Sequence, residues 1–148
     1  MGLSLIEMLI ALLVLSFGLL GVAGLIANSL KSNQNAYLRS QANFLAYEII
    51  DRIRANRATV IANPATYALN DVDSTSALPV AVGGDCATNE AMPSCDLKTW
   101  QALLARSLPN AGGAVECDGG SGICRVRIDW EEDRGAGKPV QIRLSTEI

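Results

Sequence analysis

The chain has 148 residues, 49% of them apolar, a net charge of −3 and no histidine. The missing histidine removes the commonest general base and metal ligand. The acidic balance argues against a nucleic-acid binder, whose domains carry a basic patch. The twelve Lys and Arg side chains are spread from Lys31 to Arg143 without a run.

From Met8 to Leu30 there are 23 residues without a charge, and Glu7 is the only ionisable side chain before Lys31. About 20 apolar residues cross a bilayer core as a helix. A cleaved secretory signal has a basic start and an apolar region of about 7–15 residues. Nothing basic precedes this run and it is longer, although Val22-Ala23-Gly24 could mimic a cleavage site. A buried helix of a soluble domain is the third reading, and a chain this short would struggle to cover one. A carboxylate in such a segment is costly and marks a functional candidate; the bland alternative for Glu7 is an ionised, wet residue at the membrane interface.

Gly18, Gly21 and Gly24 interrupt the apolar run. Two accounts are open. Glycine is frequent in transmembrane helices and permits close packing. Each interior glycine also costs about 1 kcal/mol against alanine, so this stretch is a candidate for local unwinding.

The helical pattern continues past the apolar run. No proline occurs between Asn28 and Arg57, and Leu38, Ala42, Leu45, Ile49 and Ile53 recur at spacings of three and four. Glu48 and Arg52 stand at i,i+4 in the favourable order. One helix from about Leu3 to about Asn56 is expected, roughly 80 Å long at 1.5 Å per residue. Its second half is amphipathic.

Ala58 to Pro93 reads as a connecting region with one short strand near Leu78–Val82. Asp96 is placed to cap a helix from Leu97 to Leu108, with Leu97, Trp100, Leu104 and Leu108 on one face. Pro109 and Gly112-Gly113 would end it. Val115 and Cys117 then form a short strand, 118–122 a turn, and Cys124, Val126, Ile128 and Trp130 one face of a second strand. Arg125, Arg127 and Asp129 point the other way. Val140, Ile142 and Leu144 repeat the alternation, giving an antiparallel meander with one buried face. The expected class is α+β: a long N-terminal helix and a small antiparallel head. Trp100 and Trp130 are expected in its core.

Four cysteines, Cys86, Cys95, Cys117 and Cys124, lie outside the apolar segment and allow three pairings. The spacings favour two local loops, and Cys117 and Cys124 share the mouth of one hairpin. Zinc sites prefer cysteine pairs about two to four residues apart, which neither spacing offers. Disulfides place the head outside the cytoplasm.

Nothing assembles into an active site, and no cofactor or metal is expected. Without histidine there is no Ser-His-Asp or Cys-His arrangement. The glycines at 119–122 lack the Lys-Ser/Thr of a phosphate loop. Asp71-Val-Asp73-Ser-Thr75 lacks the glycine and final acid of an EF-hand. Asp129, Glu131, Glu132 and Asp133 read as a solvated acidic strand end, with a partner contact or a weak cation site as the unsupported alternative.

Gly2-Leu3-Ser4-Leu5-Ile6-Glu7 resembles the type IV prepilin signal, although Met1 alone precedes the glycine where that family usually carries a short basic leader. The resemblance implies cleavage between Gly2 and Leu3 by a prepilin peptidase, N-methylation of Leu3, and a glutamate at Glu7. Physically, a buried α-amine on Leu3 could be offset by a neighbouring subunit's Glu7, since buried charges persist when paired. The stretch 32–42, with Ala46-Tyr47-Glu48 and 51–57, is similar to the PilV family of minor pilins, as are Asp96-Leu97-x-x-Trp100, Leu108-Pro109 and Trp130. That implies a leader (1–2), a transmembrane or filament-core helix (3–30), its amphipathic continuation (31–57) and a periplasmic head (58–148). It implies a non-enzymatic subunit, first in the bacterial inner membrane with its amino end cytoplasmic, then in the filament or at its tip. The implied partners are other minor pilins, the major pilin, the assembly machinery and a tip adhesin. A type II secretion minor pseudopilin and a plain bitopic membrane protein with a periplasmic binding head are the alternatives.

Overall fold

The computed structural model describes residues 4–69, 91–132 and 139–148. It is α+β. Three helices, α1 (Leu5–Ala55), α2 (Arg57–Ala62) and α3 (Met92–Ser107), accompany a 3-10 turn at Pro64–Tyr67 and three strands, β1 (Gly112–Asp118), β2 (Ile123–Trp130) and β3 (Val140–Glu147). The chain divides into two compact units between Tyr37 and Leu38.

The first unit carries the apolar part of α1. The helix starts where Ser4 O accepts the amides of Glu7 (3.0 Å) and Met8 (3.3 Å). It is long and apolar enough to cross a membrane, and its most apolar window has no buried residue. It runs through Gly18, Gly21 and Gly24 without a break. A methyl group added at any of the three would meet nothing within 4 Å.

The second unit begins with the amphipathic stretch of α1. Leu38, Ala42, Leu45, Ile49 and Ile53 are buried as their spacing predicts, joined by Ala46 and Ile50. Arg52 reaches Glu48 at 2.6 Å. Trp100 and Trp130 are fully buried in the same core. The Trp100 indole N–H donates to Leu45 O at 2.8 Å, which satisfies its one polar atom.

The region after α1 differs from its sequence reading. Its first residues are not a plain connection but α2 and the 3-10 turn, whose first turn holds Pro64. Proline suits that position because its missing N–H would have no partner there. Leu69 then bridges Val115 of β1. The strand expected at Leu78–Val82 lies outside the described residues, as does Asp71–Thr75.

Helix α3 begins a turn before the predicted start. Pro93 stands in its first turn and no side chain caps it. Ala91 O accepts the Cys95 amide (3.1 Å) and the Ser94 hydroxyl (2.8 Å). Asp96 is therefore inside the helix, and its carboxylate is used elsewhere. Leu97, Trp100, Leu104 and Leu108 are buried as expected.

Gly112 and Gly113 do not terminate α3. They open β1, and the reversal before them falls at Asn110, with φ 49°. Asparagine tolerates that left-handed backbone better than most residues. Gly113 is needed for space: a Cβ there would collide with Trp100 Cη2 and approach Leu104 Cδ1 to 2.6 Å.

The sheet is an antiparallel meander in the order β1-β2-β3. Cys124, Val126, Ile128 and Trp130 face the core. The expectation of a single buried face fails on β2, where Arg127 and Asp129 are also buried, at 1% and 9% exposure. Residues two apart share a strand face, and Arg127 Nε lies 3.2 Å from Asp129 Oδ2. Such charges persist in a protein interior when paired. Burial still outweighs the attraction of Arg127 and then Arg143, and holds the Asp129 carboxyl above its ordinary range.

Candidate functional site

The apolar segment of α1 is the feature that calls for a function. Leu5, Leu9, Leu12, Leu13, Phe17 and Leu20 are each more than half exposed. A helix this long and apolar could span a membrane. Glu7 sits exposed in its first turn, where a carboxylate is favoured by the partial positive charge of the helix end. Gly2 and Leu3, the expected cleavage and methylation positions, lie outside the described residues. Ser16 returns its hydroxyl to Leu12 O at 2.7 Å, which keeps a polar atom satisfied within the apolar run.

The cysteines are consistent with an oxidising compartment. Cys117 and Cys124 are opposite each other in the β1–β2 register and form a disulfide, with Cα atoms 4.0 Å apart. Cys95 is disulfide-bonded. Cys86 lies outside the described residues.

The acidic strand end is tied down rather than simply solvated. Glu132 takes a two-toothed contact from Arg39, at 2.7 and 3.3 Å, which raises the guanidinium pKa through the hydrogen bond and then the charge. Glu131 accepts from Asn110 Nδ2 at 2.9 Å. Asp129 belongs to the buried pair with Arg127. Asp133 lies outside the described residues.

A polar cluster that the sequence did not announce connects α1, the 3-10 turn and α3. Tyr67 donates to Asp96, Arg52 bridges Asp96 and Glu48, and Asn56 donates to Tyr67 Oη at 3.3 Å. Glu48, Arg52 and Asn56 come from the end of α1 and the residue after it, Tyr67 from the 3-10 turn and Asp96 from α3, and only the Glu48–Arg52 pair is legible from its spacing. The cluster has the partners of a structural brace.

An open apolar hollow with about 20 Å³ of free space lies beside the Cys117–Cys124 bridge, lined by Val60, Ile61, Gly119 and Ile148 among others. Ligand pockets enclose about 300–1,000 Å³, so this one is undersized for a small-molecule site. No family model, curated protein or solved structure matches the chain.

Proposed function

We propose that the chain is a minor type IV pilin, most like PilV: a non-enzymatic, membrane-inserted subunit that helps to prime pilus assembly and resides in the filament or at its tip. The observation that carries this reading is the make-up of α1. One uninterrupted helix begins with an exposed apolar stretch whose lone charge is Glu7, and ends with a stripe buried in a small α+β head. A simple membrane anchor does not require a carboxylate in the first turn of its helix, whereas a helix that leaves the bilayer to pack among others can use it to offset a buried amine. The bonded cysteines of the head support residence outside the cytoplasm.

On this reading the three glycines allow close helix packing, and the head supplies contacts to other minor pilins, the major pilin or a tip adhesin. The test is the intact mass and amino-terminal sequence of the protein recovered from membranes, with and without an active prepilin peptidase. A chain starting at methylated Leu3 only when the peptidase is active is the expected result. An uncut chain in both strains would replace this reading with a bitopic membrane protein. Cleavage with incorporation into a secretion pseudopilus rather than a pilus would assign it to type II secretion.

A further inference from the structure

Strand β3 has β2 on one side and, among the described residues, no strand on the other. Edge β1 is different, because Leu69 exchanges both backbone hydrogen bonds with Val115, at 2.9 and 3.0 Å. The direction of the β3 backbone groups follows from one bond. Ile148 N donates to Gly122 O at 2.9 Å, one step beyond the Ile123–Glu147 pair. Hydrogen-bonded and non-bonded pairs alternate along an antiparallel ladder. Val140, Ile142, Leu144 and Thr146 therefore turn their N–H and C=O toward β2, and Gln141, Arg143, Ser145 and Glu147 turn theirs outward.

Two other features agree with this parity. It makes Cys117–Cys124 a non-bonded pair, the closer kind, as its 4.0 Å Cα separation requires. It also turns Val115 outward on β1, where Leu69 takes its backbone. The side chains of the four outward-bonding β3 residues are exposed. Edges are commonly blunted by proline, a bulge or charge; β3 contains no proline, pairs with β2 without a skipped residue, and carries the charges Arg143 and Glu147.

We propose that this edge pairs antiparallel with β3 of a second copy of the chain, about a two-fold axis at Ser145. Charge selects both the occupant and the register. Pairing that uses the outward groups sets odd-numbered residues opposite odd-numbered residues. Centring on Arg143 would put two guanidinium groups face to face, which is unfavourable across strands. Centring on Leu144 would match Arg143 with Ser145. Centring on Ser145 sets Arg143 opposite Glu147 of the second copy, twice by symmetry, and forms about six backbone hydrogen bonds. The same register places Ile142 beside Ile148 of the second copy, and both are only partly buried in one chain.

The test uses the full chain in detergent micelles. Ser145→Cys is oxidised and compared with Gln141→Cys, whose opposite position in this register falls past the end of β3. The expected result is a covalent dimer for Ser145→Cys and none for Gln141→Cys. Adding Arg143→Glu to the Ser145→Cys chain should abolish the dimer, and adding Glu147→Arg as well should restore it. Micelle association through the apolar helices would crosslink both cysteine variants alike, and that outcome overturns the proposal. Protection of the Arg143 and Ser145 amides from hydrogen exchange that does not vary with protein concentration also overturns it, because the edge would then be covered within one copy.

Discussion

Tyr67 Oη donates to Asp96 Oδ2 at 2.6 Å across 29 residues of sequence. The carboxylate's other oxygen faces Arg52 Nη1 at 3.5 Å. The phenol is buried, and burial followed by its bond to Asp96 pushes its pKa from 10.0 to about 12. The folded chain thus holds this proton more tightly than the unfolded chain. The stabilisation is complete below pH 10, declines as the pH rises, and is gone above about 12. Denaturant titrations of the head, followed by tryptophan fluorescence, should lose stability between those limits. Tyr67→Phe should lack that component and should be weaker at neutral pH by about 1.5–3 kcal/mol, the range for a hydrogen bond to a charged group.

Gly113 is fixed by space. Its missing Cβ leaves room for the Trp100 ring and Leu104 Cδ1, and both are fully buried. Gly113→Ala should cost about 1–3 kcal/mol through overpacking. Gly120 is the control, since a Cβ there meets only Asp118 Oδ1 at 3.6 Å. Gly120→Ala should stay within about 0.5 kcal/mol of the parent. Equal midpoints for the two variants in chemical denaturation would show that the Trp100 ring can yield.

These contacts mark where the sequence stopped being readable. Periodicity disclosed α1, its buried face, the α3 face and the alternation of β2 and β3, because each is a local pattern repeated several times. The start of α3 was missed because Asp96 has the chemistry of a cap, yet Tyr67 and Arg52 claim it from other elements. Gly112-Gly113 read as a helix stop because glycine gives the same signal for a backbone bend and for a side chain with no room. Arg127 and Asp129 read as a solvated face because burying charge is the exception. For the candidate site, Glu7 and the apolar run were legible because a single charge in 30 residues needs no three-dimensional context.

The Cys117–Cys124 bridge closes a short hairpin, with a sequence separation of 7. Chain-entropy bookkeeping for so small a loop gives about 2–3 kcal/mol. Replacing both cysteines with serine should lower the unfolding free energy by that amount and leave the β1–β2 register intact, because Val115–Val126 and the neighbouring pairs remain. Thermal melts of the double variant against the parent, without reductant so that the Cys95 bond is kept, provide the check. A larger loss with altered near-ultraviolet dichroism would mean that the bridge sets the hairpin instead of only bracing it.

Glu7 carries the sharpest functional expectation. Removing its charge makes the first turn of α1 more apolar, so Glu7→Val should enter the membrane at least as well as the parent. If the carboxylate instead offsets an amine buried among packed helices, the same change strands that amine. Breaking a buried pair by removing one partner costs about 3–5 kcal/mol, enough to lower occupancy by more than a hundredfold. Immunoblots of membranes and of sheared filaments from one culture separate the two effects. The expected result is wild-type abundance in membranes with near-complete loss from filaments. Glu7→Gln should fail similarly, because it keeps the size and hydrogen bonding but not the charge. Full incorporation of both variants would show that Glu7 is an interfacial residue with no part in assembly.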